Sequence, residues 1–180
     1  MSEMSRMFVA LVLALALALP SASFAAAPRG TANSGPDAQS ARQFVQNFYD
    51  WYVKAGQRMD VALQEEPGWF SSKILAGLRD DLAAQAKDPD DVVGIDFDPF
   101  LNAQETYDPY TTCKVTAAGL GFRIEVSHQG ACADGKDLGV IAAVEKRKGK
   151  WVFTDFYYPG QGDLFSALAQ AKKEREKAVK

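Results

Sequence analysis

The chain has 180 residues, with 20 basic and 23 acidic side chains, a single His and a formal net charge of -3. That balance gives no electrostatic basis for binding nucleic acid, which calls for a basic patch or stripe. The two clusters of basic residues, "EKRKGKW" and "AKKEREKAVK", read as a hairpin turn and a solvated helix end. The length suits one ordinary domain, and no repeat at a solenoid period is present.

Taken in chain order, Arg6 precedes an unbroken apolar run from Phe8 to Leu19, and Pro20 ends it before "SASFAAAP". These are the n-region, h-region and small-residue cleavage site of a secretory signal peptide over residues 1–25, with Ser23 and Ala25 at the two small positions. The run is too short for a permanent membrane anchor, which needs roughly 20 apolar residues. The expected product is an exported protein, periplasmic in a cell with two membranes. Residues 26–37, containing "APRGTANSGPD", lack apolar periodicity and are expected to be a disordered linker.

A single domain is expected over residues 38–165. In "AQSARQFVQNFYDWYVKAG", Ala41, Phe44, Val45, Phe48, Trp51 and Tyr52 recur at helical spacing, so a helix is predicted from 38 to 55, with Asp37 as cap and Gly56 as stop. An aromatic stripe of this kind forms core or the wall of a pocket, and Trp51 and Tyr52 are candidates for the latter. "MDVALQEEP" reads as a further short turn of helix. "FSSKILAGLRDDLAAQAK" reads as a second long helix, capped by Ser71 or Ser72, with Ile74, Leu75, Leu78 and Leu82 on one face and Gly77 weakening it.

Beyond residue 109 the period becomes that of strands. "YTTCKVTAAG", "GFRIEVSH", "DLGVIAAVEKRKG" and "KWVFTDFYYP" are predicted to form four antiparallel strands in a meander, with Gly149 in a tight turn. Cys113 falls on the first strand and Cys132 in the loop after the second. An even cysteine count in an exported chain, without a CxxC motif, predicts a disulfide between them. A last helix is apolar at Leu164, Phe165, Leu168 and Ala169, and residues 166–180 form its charged, solvated end. The fold class is therefore α+β, with N-terminal helices packed on a curved four-stranded antiparallel meander and a C-terminal helix.

Three stretches, "FVQNFYDWYV", "DFDPFLNAQE" and "RKGKWVFTDFYYP", resemble the exported bacterial family catalogued as domain of unknown function 3828. The helix-then-meander order is similar, more broadly, to the cone-shaped fold of nuclear-transport-factor-2-like and cystatin-like proteins. The resemblance covers roughly Ala41 to Pro159. It implies a cone with an interior space, on a fold that hosts isomerases, dehydratases and binding modules alike, so it does not decide function. Enzymes of the broad fold use an acid or a His inside the cone for proton transfer, and no position here aligns with such a residue.

The segment "IDFDPFLNAQETYDPY", Ile95 to Tyr110, concentrates the candidate chemistry. Asp96, Asp98 and Asn102 offer oxygen ligands for calcium, but an EF-hand loop started at Asp96 puts Phe100 at the fifth position and Leu101 at the sixth, and one started at Asp88 puts Val92 at the fifth, so the motif fails. Asp96 and Asp98 could instead divide acid and base roles, since alternate residues of an extended segment share a side. The sole His, His128, closes a strand, and no Ser, His and Asp constellation is recognisable. The structural alternative is a cap and first turn at Asp98 and Pro99, with Phe100 and Leu101 plugging the core and Asp108 and Pro109 turning into the first strand.

Two functions follow as expectations. The first is a non-enzymatic binding module for a small ligand, peptide or partner protein, of the inhibitor or immunity kind. Its site would combine Asp96, Asp98, Phe100, Asn102, Gln104 and Tyr107 with Trp51 and Tyr52, and would require neither metal nor cofactor. The second is a small lyase or isomerase with Asp98 or Asp96 as general base. A filled cone favours the first, and a buried carboxylate at the end of an open cavity the second.

Overall fold

The structure is a computed structural model and describes residues 35–87, 94–105, 108–128, 132 and 138–178. The signal-peptide and linker expectations therefore lie outside the described residues up to residue 34. Helix α1 spans Pro36–Lys54, α2 Met59–Glu65 and α3 Ser72–Gln85, with a 3₁₀ turn at Pro67–Trp69. Strands β1 (Tyr110–Ala118), β2 (Gly121–His128), β3 (Leu138–Arg147), β4 (Lys150–Tyr158) and β5 (Gly162–Asp163) follow, and α4 (Leu164–Ala178) is the last described element. Among the described residues no helix is long and apolar enough to cross a membrane.

Helix α1 begins at Pro36, two positions before the expected start at residue 38, because Gly35 stands at the N-cap and Pro36 presets the first helical turn. Asp37 does not cap it. The Asp37 carboxylate instead pairs with Lys146 of β3, while Ser40 accepts a 2.9 Å hydrogen bond from the Trp151 indole, so the start of α1 is pinned to the β3–β4 hairpin. At the other end the Ala55 N–H closes the last turn, and Gly56 takes the left-handed conformation expected after a helix (φ 75°). Helix α3 is capped by Ser71, whose Oγ accepts from the Ile74 N–H. The Ser71 N–H donates to the Phe153 carbonyl at 2.8 Å, which docks the cap against β4.

The sheet order is β1-β2-β3-β4-β5, antiparallel throughout. Among the described residues it has five strands where four are expected, the fifth being the two residues Gly162 and Asp163 paired with Tyr157 and Tyr158. So short a strand carries no alternation to read. Register shifts at Thr112/Val115, Val126/Ser127 and Ala143/Val144 interrupt the three long ladders, and such bulges bend the strands that carry them. Gly121 is required where it stands: a Cβ there would meet the Val144 carbonyl oxygen at 1.9 Å. The outer edge of β1 is closed by α1. The Gln46 side-chain amide accepts from the Thr112 N–H at 2.9 Å and donates to the Tyr110 carbonyl at 3.0 Å, in place of a neighbouring strand. Cys113 and Cys132 form a disulfide.

The space between helices and sheet is filled with rings. Phe48, fully buried, lies within 5.6 Å of the rings of Tyr49, Tyr52, Phe70, Phe100 and Phe153. The aromatic stripe of α1 is thus core, with Trp51 left half-buried at its margin. Helix α4 departs from its expected pattern. Leu164 is buried, but Ala169 is exposed and Ala171 takes the inward place one turn on. Nor is the end of the helix simply solvated: Arg175 reaches Asp81 of α3, an acid with only 1% of its surface exposed. Gly77 is more than a weak point in α3, since a Cβ there would meet the Leu168 side chain at 2.9 Å, so its absence lets α4 approach closely.

Candidate functional site

The acidic segment folds into one tight turn around Asp98. Asp98 Oδ1 accepts the N–H groups of Phe100 (2.8 Å) and Leu101 (3.2 Å), and its carbonyl accepts those of Leu101 and Asn102. Its own N–H donates to the Ala103 carbonyl at 2.9 Å. Pro99 supplies the fixed φ of a first turn and has no N–H to satisfy. The chain reverses at Asn102, in the left-handed region (φ 53°), which Asn tolerates better than most side chains. The Asn102 amide then donates to the Gly139 carbonyl of β3 at 3.1 Å.

Three tyrosines hold this turn against the core. The Tyr52 hydroxyl donates to Asp98 Oδ2 at 2.6 Å, Tyr49 to the Phe100 carbonyl at 2.6 Å and Tyr158 to the Pro99 carbonyl at 3.1 Å. Phe100 is thereby driven inward, stacked on Phe70 with ring centres 5.1 Å apart. Burial raises the pKa values of all three phenols, and it is the largest cause in each case. Burial also pushes the Asp98 carboxyl up to about 6, against the opposing pull of its hydrogen bonds from Tyr52, Phe100 and Leu101.

Beside the turn lies an open cleft of about 440 Å³. Its lining is apolar at Met59, Ile95, Phe97, Leu101 and Ala103, carries amides at Gln57, Gln85 and Gln104, and carries carboxylates at Asp96, Asp98 and Glu105. Gln57 Oε1 is buried without a hydrogen-bond partner among the described residues. Gln104 Nε2 donates to the Asp96 carbonyl at 3.3 Å, bridging the two exposed ends of the segment. Of the residues expected in a ligand site, Asp96, Asp98 and Gln104 come together here. Phe100 and Tyr52 instead belong to the core, Asn102 to the turn, and Trp51 does not line the cleft. Tyr107 lies outside the described residues.

Of the Asp96, Asp98 and Asn102 set considered for calcium, Asn102 donates its Nδ2 to the Gly139 carbonyl and both Asp98 oxygens accept hydrogen bonds within the turn. Among the described residues no group of three His, Cys, Asp or Glu side chains could hold a metal ion. His128 ends β2 and does not line the cleft. Asp108 and Pro109 lead into β1 through a cis peptide bond.

Sequence reasoning missed Gln57, Met59, Gln85 and Glu105, which reach the cleft from the turn between α1 and α2, from α2, from α3 and from the segment itself. It also missed Asp81, whose Oδ2 accepts from the Ile95 N–H (3.1 Å) and from Gln85 Nε2 (3.0 Å) and so anchors the entry to the segment. One signal was present: Asp81 follows Leu78 by three residues and Ile74 by seven, which places an acid on the apolar face of its helix. Gln57 has no comparable signature, since its position depends on where the chain turns after Gly56.

A second depression, of about 410 Å³, includes Lys73, Arg123, Tyr157 and Phe165. Its cations are already engaged, with Lys73 3.6 Å from the Phe165 ring centre, Arg123 4.1 Å from that of Tyr157 and Arg147 paired with Glu145 at 3.2 Å. Comparison of the chain with models of protein families, with curated proteins and with solved structures gave no match.

Proposed function

We propose that this protein is an exported, non-enzymatic binding module whose ligand-facing surface is the cleft bounded by Asp96, Asp98, Gln104 and Glu105. One observation carries the reading. The interior between helices and sheet is occupied by aromatic rings, and Asp98 is committed to Tyr52 and to two backbone N–H groups, so the acidic turn serves as the wall of an external cleft. Fixed walls with a few convergent polar groups are what a binding site needs. The disulfide agrees with an oxidising compartment and hence with export. Membership of the exported family that the sequence resembles is part of the same proposal.

Native mass spectrometry of the protein purified from its own periplasm tests this reading. The expected result is an excess mass that is lost on denaturation and missing from an Asp96→Ala/Gln104→Ala variant. An excess mass equally present in that variant would move the site away from the cleft. A bare wild-type mass would count against a retained small ligand and in favour of a partner protein met at the surface.

A second reading rests on the raised carboxyl of Asp98 at the wall of the same cleft, a property expected of a general base. Its Oδ2 keeps a lone pair beyond the one engaged by Tyr52. The two readings part at turnover: under the first the wild type has none, and under the second Asp98→Asn abolishes it in a protein that still folds.

A further inference from the structure

Asp81 joins two parts of the molecule that lie far apart in sequence. It is buried on α3 and divides its oxygens: Oδ1 accepts from Arg175 of α4, and Oδ2 accepts from the Ile95 N–H and from Gln85 Nε2. Gln85 Nε2 also donates to the Ile95 carbonyl at 3.4 Å, so both backbone groups of Ile95 are held by α3. The preceding residue passes against the same two side chains. A Cβ on Gly94 would meet Gln85 Nε2 at 2.3 Å and Asp81 Oδ2 at 2.6 Å, so the chain enters the acidic segment on a track with no room for a side chain. Ile95 and Gln85 both line the cleft, and whatever fixes Asp81 therefore fixes that end of its wall.

Among the described residues the one ion pair of Asp81 is with Arg175, and its other donors are neutral. A carboxylate buried this deeply is costly without a cation. With the guanidinium gone it is better solvated by turning to water, away from the Ile95 N–H. The guanidinium itself sits on a weakly held stretch. Leu164, Leu168 against Gly77, and Ala171 fasten the first half of α4. Beyond them Lys172, Lys173, Glu174, Glu176 and Lys177 are exposed, and Arg175 is the one side chain of that run turned inward, 17% exposed. A helix end held in this way opens locally far more easily than the whole fold does.

We propose that the last turns of α4, residues 172–177, are a latch on the acidic segment. Docked, they keep Asp81 in place for the Ile95 N–H; undocked, they release that end of the cleft wall in the same step. The latch concerns the wall itself and holds whatever the cleft accepts, so its failure leaves the binding reading untouched.

Native-state amide exchange of the ¹⁵N-labelled wild type, read residue by residue by NMR over a series of sub-denaturing urea concentrations, tests this without altering the chain. The amides of Ile95 and of residues 172–177 are expected to open together, with a common urea dependence, and at least tenfold more often than those of Ile124 and Ala142 in the sheet. An Ile95 amide that opens only with the sheet, or with a urea dependence of its own, would overturn the latch. Three variants then test the role of the charge. Arg175→Ala should speed exchange at Ile95 and at residues 172–177 by at least tenfold each and shift the amide signals of residues 94–97. Arg175→Lys, which returns a cation to Asp81, should restore most of the protection at both places, and Glu176→Ala, exposed on the same turn, should change neither. Faster exchange at residues 172–177 with Ile95 unmoved would show that α4 undocks alone and that Asp81 holds the segment without it. Should Arg175→Ala fail to fold, the wild-type exchange series decides.

Discussion

Asp98 is the residue on which the local structure turns, and its two oxygens do different work. Oδ1 caps the Phe100 and Leu101 N–H groups, and Oδ2 receives the Tyr52 hydroxyl, so Asp98→Ala removes a cap and leaves a buried phenol without its acceptor. Caps contribute about 1 kcal/mol and an orphaned buried donor costs about 1–3 kcal/mol, so the expected loss is about 2–4 kcal/mol in urea unfolding. An unchanged midpoint would remove the structural account of this turn. Asp98→Asn keeps an oxygen for the N–H groups and carries no charge to desolvate, and is expected to cost less than about 1 kcal/mol at neutral pH. The same burial gives stability a pH dependence of definite sign. With the folded carboxyl at about 6 and the ordinary value at 3.8, the folded state holds the proton more tightly than the unfolded chain. The contribution from Asp98 is thus fully present below 3.8 and is lost as pH rises through about 6, a span worth roughly 3 kcal/mol. Unfolding free energies of wild type and Asp98→Asn, measured from pH 4 to pH 7.5, should draw together in their pH slopes only above this window, with the wild type losing stability relative to the variant as pH rises. Parallel curves would show that the carboxyl is not desolvated. Asp155, also raised by burial, acts in the same direction in both proteins and cancels in the difference.

At the scale of elements, the sequence reported what local patterns encode. The 3.6-residue period of Phe44, Phe48, Trp51 and Tyr52, the Ser71 cap and the alternation of the four long strands each follow from nearest-neighbour physics, and these elements were legible. The turn at Asp98 and Pro99, with Phe100 and Leu101 in the core, was one of two alternatives that the local pattern left open, the other placing Phe100 in a ligand site. What stayed hidden depends on partners distant in sequence. Asp37 looks like a cap until Lys146 is brought beside it, and the charged end of α4 looks solvated until Arg175 meets Asp81. The cleft draws on three separate stretches, 57–59, residue 85 and 95–105, of which a linear reading could see one. The α3–α4 clasp also carries a prediction. Arg175→Ala would leave Asp81 buried without its cation, with Gln85 and the Ile95 N–H as its remaining hydrogen-bond donors among the described residues, and breaking a buried pair from one side costs about 3 kcal/mol. Hydrogen exchange should show α4 amides losing protection while β2 and β3 keep theirs. Retained protection in α4 would mean that Leu164, Leu168 and Ala171 hold the helix without the ion pair.

For the whole molecule, the disulfide and the aromatic core are separate sources of stability, and they can be told apart. Cys113 and Cys132 are 19 residues apart in sequence, and closing a loop of that length restricts the unfolded chain by about 3 kcal/mol. The Phe48-centred core, by contrast, is built from α1, the turn around Asp98, the cap of α3 and strand β4, and neither cysteine contributes a ring or an aliphatic group to it. Reduction is therefore expected to lower the unfolding free energy by about 3 kcal/mol without changing the fold. Urea titrations of the oxidised protein, the reduced protein and a Cys113→Ser/Cys132→Ser variant should give the last two a common, lower midpoint, with near-ultraviolet circular dichroism of all three coinciding in the absence of urea. Loss of that aromatic signal on reduction would show that the bridge positions the core as well as closing the loop. The cleft would then feel it too, because Tyr49, Tyr52 and Phe100 connect the core directly to the Asp98 turn.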